Sequence, residues 1–458
     1  MGISRELAEL IARTRYEDLP AAVIENQKKS ILDAIGVTYG ASTLGDGARE
    51  MVALAENFAA GGKPEATVLG FDKKLPAIWA AFANAAMAHG LDFGDTHDGS
   101  TTHPNSSSFP AALAAAERKG GVSGKELLTA LVLGSETTIR ISLAADVHDS
   151  YDGFYPPTIY SSYGATAAAA KILGLGADGI MDALSFNLCQ STCSSELQNN
   201  PGTALRSVRE AFGARNALTA CAMAASGLRG FAEPLEGKLG FYHAFLRDRF
   251  TPARALEGLG EKWEAGELTY KAWPCCFGNH APITAVLQLR KELGLRPEEV
   301  RRIHVEVGPP NLMLLEPAEE KLRPENAINA KFSIPFNVAC ALVRGSVTID
   351  SYGEENLHDP AIRALAEKVD YTFHEDWEGR SSEAFLRIET DRGTFEKTVT
   401  APFGTPENPM SGEDFMAKFF SCGSKAFAPR SRERLEEIAA AVDRLEEMPD
   451  ISAFTALL

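Results

Sequence analysis

Residues 89–104 read HGLDFGDTHDGSTTHP, with three histidines and three aspartates in a chain that has nine histidines altogether. Side chains of these types coordinate metals, carry protons, or cap helices in polar loops. The metal reading is weak: there is no HExxH, no spacing of two histidines with one carboxylate, and no second ligand-rich segment. Polar capping is the ordinary reading of any one of these residues alone. Six together read as a site, and acid/base chemistry fits them better than a metal. His89-Gly90 is expected to end a helix, the glycine taking the left-handed conformation. If a helical turn continues to 95, His89, Asp92 and Asp95 share one face. Pro104 excludes helix at His103, which must be extended. Asn105 and the serines at 106–108 then cap the next helix, with Pro110 in its first turn.

The elements that must hold this loop are helices. The stretch 21–37 places Val23, Ile24, Ile31, Leu32 and Ile35 on one stripe. Further helices are expected at 76–89, 111–118, 124–146, 164–174, 177–188 and 204–228. Many are alanine-rich on several faces, which suits close packing in a thick bundle. Gly-Gly at 120–121, Tyr-Pro-Pro at 155–157 and Asn-Pro-Gly at 200–202 punctuate the joints. After 251–266 the texture changes. RRIHVEVG (301–308) alternates, with Ile303, Val305 and Val307 on one face. FLRIETDRGTFEKTVT (385–400) reads as two strands joined by a three-residue hairpin, Asp391-Arg392-Gly393. Helical stretches lie at 326–344 and 360–368, and 411–448 is helical again. The expected fold is mainly α with α+β: a large all-helical bundle over 1–265 and 401–458, and a smaller α+β lid domain over 266–400.

Composition narrows the class. At 458 residues, 45% hydrophobic and 23% charged, the chain reads as a soluble globular protein of two domains. A net charge of −17 disfavours nucleic acid and anionic membrane as partners. No apolar run reaches the roughly 18–20 residues of a membrane span. MGISRELAELIARTRYEDLP is amphipathic with acidic residues throughout, unlike a signal peptide, and Glu6 argues against myristoylation. A cytosolic location is expected. The seven cysteines offer no paired CxxC elements, so reduced thiols are expected rather than a zinc ribbon or disulfides. Cys275-Cys276 lack a nearby His–Asn pattern and read as buried and inert.

HGLDFGDT followed by HP and a helix of small residues resembles the signature of the MmgE/PrpD family. YKAWPCCFGNHAPITAVLQL (270–289) is similar to its Lys-x-aromatic-Pro-Cys…His segment, and RPENAINAKFSIPFNVACAL (323–342) to its Pro…Ala-x-Phe-Ser…Ala segment. The resemblance covers essentially the whole chain. It implies chemistry beginning at a carbon next to a carboxylate, as in 2-methylcitrate dehydratase, cis-aconitate decarboxylase and iminodisuccinate epimerase. It implies no metal or other cofactor, a small di- or tricarboxylate as partner, and a homodimer. By position, Asp92, Asp95, Thr96 and His103 fall on the family's first active-site segment and Lys271 on its second. His103 is then a proton carrier, with an unperturbed pKa near 6.5. Asp92 orients it or acts as an acid, and Lys271 supplies positive charge to a carboxylate or enolate. Asp95 and Thr96 join the binding set.

Two departures shift the expectation. Tyr155 stands where the family usually has a histidine soon after Gly-Phe, and a phenol near pKa 10 is the poorer acid at neutral pH. Arg206 and Arg209 stand where the family has a lysine and a histidine. Arginine releases no proton but grips a carboxylate bidentately. Arg209 reads equally as a helix-surface residue, and His280 as either a substrate contact or a helix N-terminal histidine. The histidines at 148, 243, 304, 358 and 374 are scattered, and His97 and Asp98 read as loop surface. The expected activity is a hydro-lyase of the 2-methylcitrate dehydratase type, with epimerisation or decarboxylation as alternatives and a non-catalytic carboxylate binder as the reading from another class. The site is expected to draw Asp92, Thr96 and His103 from the helical domain and Lys271 from the other.

Overall fold

The computed structural model describes residues 2–146, 153–200, 203–377 and 382–458. His148 and the Pro201-Gly202 part of the third joint fall outside them. The chain is mainly helical with one small mixed sheet, and it divides into two compact units: Met1–Thr269 with Phe415–Leu458, and Tyr270–Asp414. The return to the helical unit thus comes at Phe415, where the sequence places it at 401. The intervening turn is tied into the second unit, Tyr270 N–H donating to the Gly404 carbonyl at 3.0 Å.

In the helical unit, Pro104–Lys119, Gly124–Leu143 and Pro156–Leu173 pack as a central trio. Gly164 shows why small residues fill these faces. A Cβ there would lie 1.9 Å from Thr138 Oγ1 and 2.4 Å from the Gly134 carbonyl oxygen. Val23, Ile24, Ile31, Leu32 and Ile35 are all buried on Ala21–Leu44. The helices expected at 111 and 164 begin at Pro104 and Pro156 instead. Proline at the first helical position presets the backbone, and the serines that looked like caps are buried inside the opening turns. Pro110 falls in the second turn. The stretch 204–228 forms two helices, Leu205–Val208 and Glu210–Ala225, meeting at Arg209. One short antiparallel hairpin, Ala66–Val68 with Lys73–Leu75, interrupts the helical pattern.

The second unit is built on a four-stranded sheet whose order is Val369–Phe373, Val300–Val307, Ala384–Thr390, Gly393–Val399. The first pair is parallel and the other two antiparallel. Ile303, Val305 and Val307 are fully buried, as their alternation requires. The hairpin is tighter than expected, since Thr390 pairs with Gly393 and only Asp391 and Arg392 form the loop. His280–Leu293 packs on this hairpin, and Ala327–Lys331 and Ile334–Arg344 occupy the expected 326–344 stretch. Cys275 is buried but Cys276 is only half-buried. No helix among the described residues is long and apolar enough to cross a membrane.

Candidate active site

The 89–104 loop leaves the Ala77–Ala88 helix through His89, whose φ of −106° and ψ of −5° keep it right-handed. Gly90 is not left-handed; Asp92 (φ 53°) and, further along the loop, Thr101 (φ 52°) are, and no helical turn runs on to 95. Aspartate tolerates this conformation because its short polar side chain bonds locally. The chain then extends through Asp95–Thr96, turns at 98–100, and enters the next helix through His103, with φ −120° and ψ 77°. Pro104 explains that non-helical geometry.

Inside this loop the two ends differ in polarity. Thr96 Oγ1 donates to the Thr102 carbonyl at 2.9 Å, closing the loop on itself. Asp95 is buried, and Asn105 donates to it twice: backbone N–H to Oδ1 at 3.4 Å and side-chain amide to Oδ2 at 2.5 Å. The carboxylate therefore answers an unpaired amide at the helix N-terminus. Burial pushes its carboxyl up to about 6, nearby Asp33 adding to the rise and the Asn105 bonds opposing it. His97 is buried rather than at the loop surface, and its Nδ1 accepts from Ser100 N–H at 3.1 Å. Burial drives its imidazole down to about 4.

His103 is half-buried, and its Nδ1 lies 3.1 Å from the Asp95 carbonyl. A carbonyl only accepts, so Nδ1 carries the hydrogen, and a further proton would go to Nε2. The His89 ring lies against it, centroids 4.6 Å apart at 48°. Asp92 Oδ1 is 3.8 Å from His89 Nε2. Arg209 is 3% exposed, so the helix-surface reading fails. Its Nη2 is 2.7 Å from His89 Nε2, its Nη1 donates to the Arg206 carbonyl at 2.5 Å, and its Nε donates to Thr158 Oγ1 at 3.0 Å. The guanidinium carbon sits 5.2 Å from the centre of the Tyr155 ring. Tyr155 precedes Pro156 as His103 precedes Pro104, so both helices start from a ring-bearing residue held non-helical by proline. Glu210 ties the two helix starts together, accepting from Ser107 at 2.8 Å and from Thr158 at 3.0 Å. Arg209 also lines a cavity of about 810 Å³, with Cys193, Leu205, Phe212 and Arg215.

Folding creates a set of two histidines and one carboxylate that linear spacing does not show. Ligand atoms of His89, Asp92 and His103 all lie within 4.8 Å of one another. The donor types suit a transition metal. The fixed positive charge of Arg209 beside His89 Nε2 opposes one, and the hydrogen bond uses that nitrogen's lone pair.

Residues 5–253 match the MmgE/PrpD N-terminal domain and residues 273–444 the MmgE/PrpD C-terminal domain. The chain belongs to the MmgE/PrpD family. It is 27% identical to a cis-aconitate decarboxylase of Homo sapiens, over 100% of this chain and 94% of the relative. A cis-aconitate decarboxylase of Aspergillus terreus is 26% identical, over 100% and 96%. A 2-methylcitrate dehydratase of Salmonella typhi is 24% identical, over 84% and 83%.

In this MmgE/PrpD chain, Asp92, Asp95, Thr96, His103, Tyr155, Arg206 and Arg209 belong to the helical unit, Lys271 and His280 to the second. Lys271 is 1% exposed and follows the Tyr270 backbone pinned to Gly404. A Cβ on Gly404, whose φ is +106°, would lie 2.1 Å from the Tyr270 carbonyl oxygen, so only glycine lets the two segments meet. His280 opens its helix, fully buried, its ring 5.1 Å from both Trp273 and Phe277. That is the helix N-terminal position. His89 and Asn105 enter the sequence reading only as loop and helix-end residues; Glu210 and the buried pair Asp33–Lys418 (2.6 Å), whose lysine also donates to the Phe93 carbonyl at 2.7 Å, escape it. The last pair does leave a signal, one lone charge inside each of two apolar runs, ILDAIGV and FMAKFF.

Proposed function

We propose that this protein is a cofactor-independent lyase or isomerase acting at the carbon next to a carboxylate of a small di- or tricarboxylic acid. The observation that carries this reading is His103: one ring nitrogen tied to a backbone carbonyl, the ring half-exposed among buried polar groups. Its Nε2 delivers or removes the proton at carbon, and Asp92 follows the resulting charge. Arg206 and Lys271 keep the roles the resemblance implies, positive charges for substrate carboxylates, and Tyr155 is a hydrogen-bond donor. Asp95 and Thr96 hold the loop in shape.

Three reactions compete within this class. Dehydration needs an acid for the departing hydroxyl as well as a base at carbon. Decarboxylation needs one proton carrier to quench the carbanion, and epimerisation needs proton exchange at one carbon. Tyr155 in place of a histidine weakens the acid and so favours the latter two over 2-methylcitrate-type dehydration. Two relatives matched over the whole chain are named cis-aconitate decarboxylases, which supports decarboxylation. The test is proton NMR of the full chain with cis-aconitate, 2-methylcitrate and a panel of dicarboxylates in deuterated buffer. Carbon dioxide release supports decarboxylation, loss of the hydroxyl with a new alkene supports dehydration, and exchange alone supports epimerisation. Binding without exchange anywhere sinks the enzymatic reading, and loss of turnover on exhaustive chelation sinks cofactor independence. The same reading has the protein acting in the cytosol as a homodimer, which sedimentation at twice the chain mass checks.

A further inference from the structure

Two neighbouring imidazoles at a proton-transfer site raise a question of which one takes the proton. Ring centroids of His89 and His103 are 4.6 Å apart, so charging both is costly. Arg209 decides between them. Its guanidinium has only donors and holds its charge at any working pH. With Nη2 2.7 Å from His89 Nε2, that nitrogen must be the acceptor, and the single hydrogen of His89 sits on Nδ1. Protonating His89 at Nε2 would break this bond and set two positive charges face to face. Arg209 cannot turn away easily. It is 3% exposed and anchored through Nε to Thr158 and Glu210 and through Nη1 to the Arg206 carbonyl.

We propose that Arg209 and His89 are a positioning pair that keeps His89 neutral and directs protonation to His103 Nε2. The inference deepens the proton-transfer reading above and rests on it for its catalytic meaning. Both imidazoles carry their hydrogen on Nδ1, but His89 has its Nε2 tied to a permanent cation while His103 has its Nδ1 tied to a carbonyl. One ring is thereby a fixed wall and the other a carrier. Among the described residues, the charged and titratable groups placed around the pair are Asp92 from the loop, Tyr155 from the Pro156–Leu173 helix start, Cys193, and Glu210 from the segment that carries Arg209, while Asp95 and Arg206 meet it through their backbone carbonyls. Asp92 pulls toward protonation of either ring, and Arg209 makes the choice asymmetric.

The decisive measurement needs no substrate. Full-length protein with ring-¹⁵N histidine is followed by long-range proton–nitrogen correlation across about pH 5 to 8, His89 and His103 being assigned through His89→Gln and His103→Gln. The expected result is an unprotonated His89 Nε2 throughout and a titrating His103. A His89 that titrates in this range, or carries its proton on Nε2, overturns the proposal whatever the protein catalyses. In Arg209→Met, His89 should begin to titrate and His103 should titrate at lower pH; Arg209→Lys, which keeps the charge, should restore the parent pattern in part. Should Arg209→Met not fold, the unmodified protein and Arg209→Lys still decide the matter. On whichever acid the function test identifies, Arg209→Met should lower kcat on the order of tenfold and move the acid limb of the pH profile, with KM within about threefold. An unchanged pH profile would show the pair to be merely structural.

Discussion

His97 and His103 share one loop and behave oppositely. His97 is buried, accepts through Nδ1 from Ser100, and faces Glu264 Oε2 at 3.8 Å, a carboxylate that Lys262 also holds at 2.7 Å. Its hydrogen is on Nε2 and burial keeps it neutral. His103 is half-buried, carries its hydrogen on Nδ1, and has a second imidazole and a carboxylate beside it. The difference shows that a histidine's use is set by which nitrogen the fold occupies and by how much water the other one meets. His97 caps a turn, and His103 is the proton carrier proposed above, although both sit in the same polar stretch of sequence.

The largest effect that breaks the comparison is at His103. Replacing it with Gln should lower kcat by roughly 10³-fold, within the range found for removing a general acid or base, while circular dichroism and melting stay near the parent. Turnover that survives unchanged would remove His103 from the mechanism. Next comes the support under the loop. Lys418→Met leaves Asp33 buried without its ion pair, and breaking such a pair costs about 3–5 kcal/mol. Urea unfolding should show that loss, and Asp33→Asn in the same chain should recover part of it. A smaller effect is expected at His97. His97→Gln should cost about 1–2 kcal/mol by disturbing the bonds to Ser100 while leaving kcat where it is. A large fall in kcat there would mean the two histidines are not functionally distinct.

How much of this is legible in the chain depends on whether the partner is near in sequence. RRIHVEVG specifies its strand because alternate residues face a core. VDYTF, the edge strand at Val369–Phe373, escapes the same logic because only Val369 is buried. The helix starts at Pro104 and Pro156 escape it too, since the serines just inside them bond elsewhere, Ser107 to Glu210 and Ser161 back to the Pro157 carbonyl. The loop's residue types point to a site and, through family resemblance, to the members proposed for it. What they cannot reveal is the contact that sets tautomers: Arg209 reaches His89 across 120 residues. Tyr155 and Arg209 read as losses of acid/base groups. In the structure Arg209 is instead a fixed charge against an imidazole.

The finest test of the comparison is the pH dependence of stability, where His97 and Asp95 pull in opposite directions. In an unfolded chain histidine titrates near 6.5 and aspartate near 3.9. Folded His97 sits at about 4, so in between the unfolded chain holds the extra proton. Its contribution to stability is complete above about 6.5 and is lost as pH falls through about 4. Folded Asp95 sits at about 6, so over nearly the same range the folded protein holds the extra proton. Its contribution is complete below about 3.9 and is lost as pH rises through about 6. Each amounts to on the order of 3 kcal/mol, and in the parent the two largely cancel. Asp95→Asn should uncover His97: relative to the parent, stability falls by up to about 1.4 kcal/mol per pH unit on going from pH 6 toward 4.5. His97→Gln should uncover Asp95, giving a slope of similar size and opposite sign. Urea titrations of the three proteins at matched pH steps measure both slopes, and three parallel curves would mean that burial does not govern either group. The Asp95 variant carries a second consequence, because Asn105 would face an amide that can offer it only one acceptor. Its offset at neutral pH therefore reports the helix start beside His103, while its slope reports His97, and the two are separable in one data set.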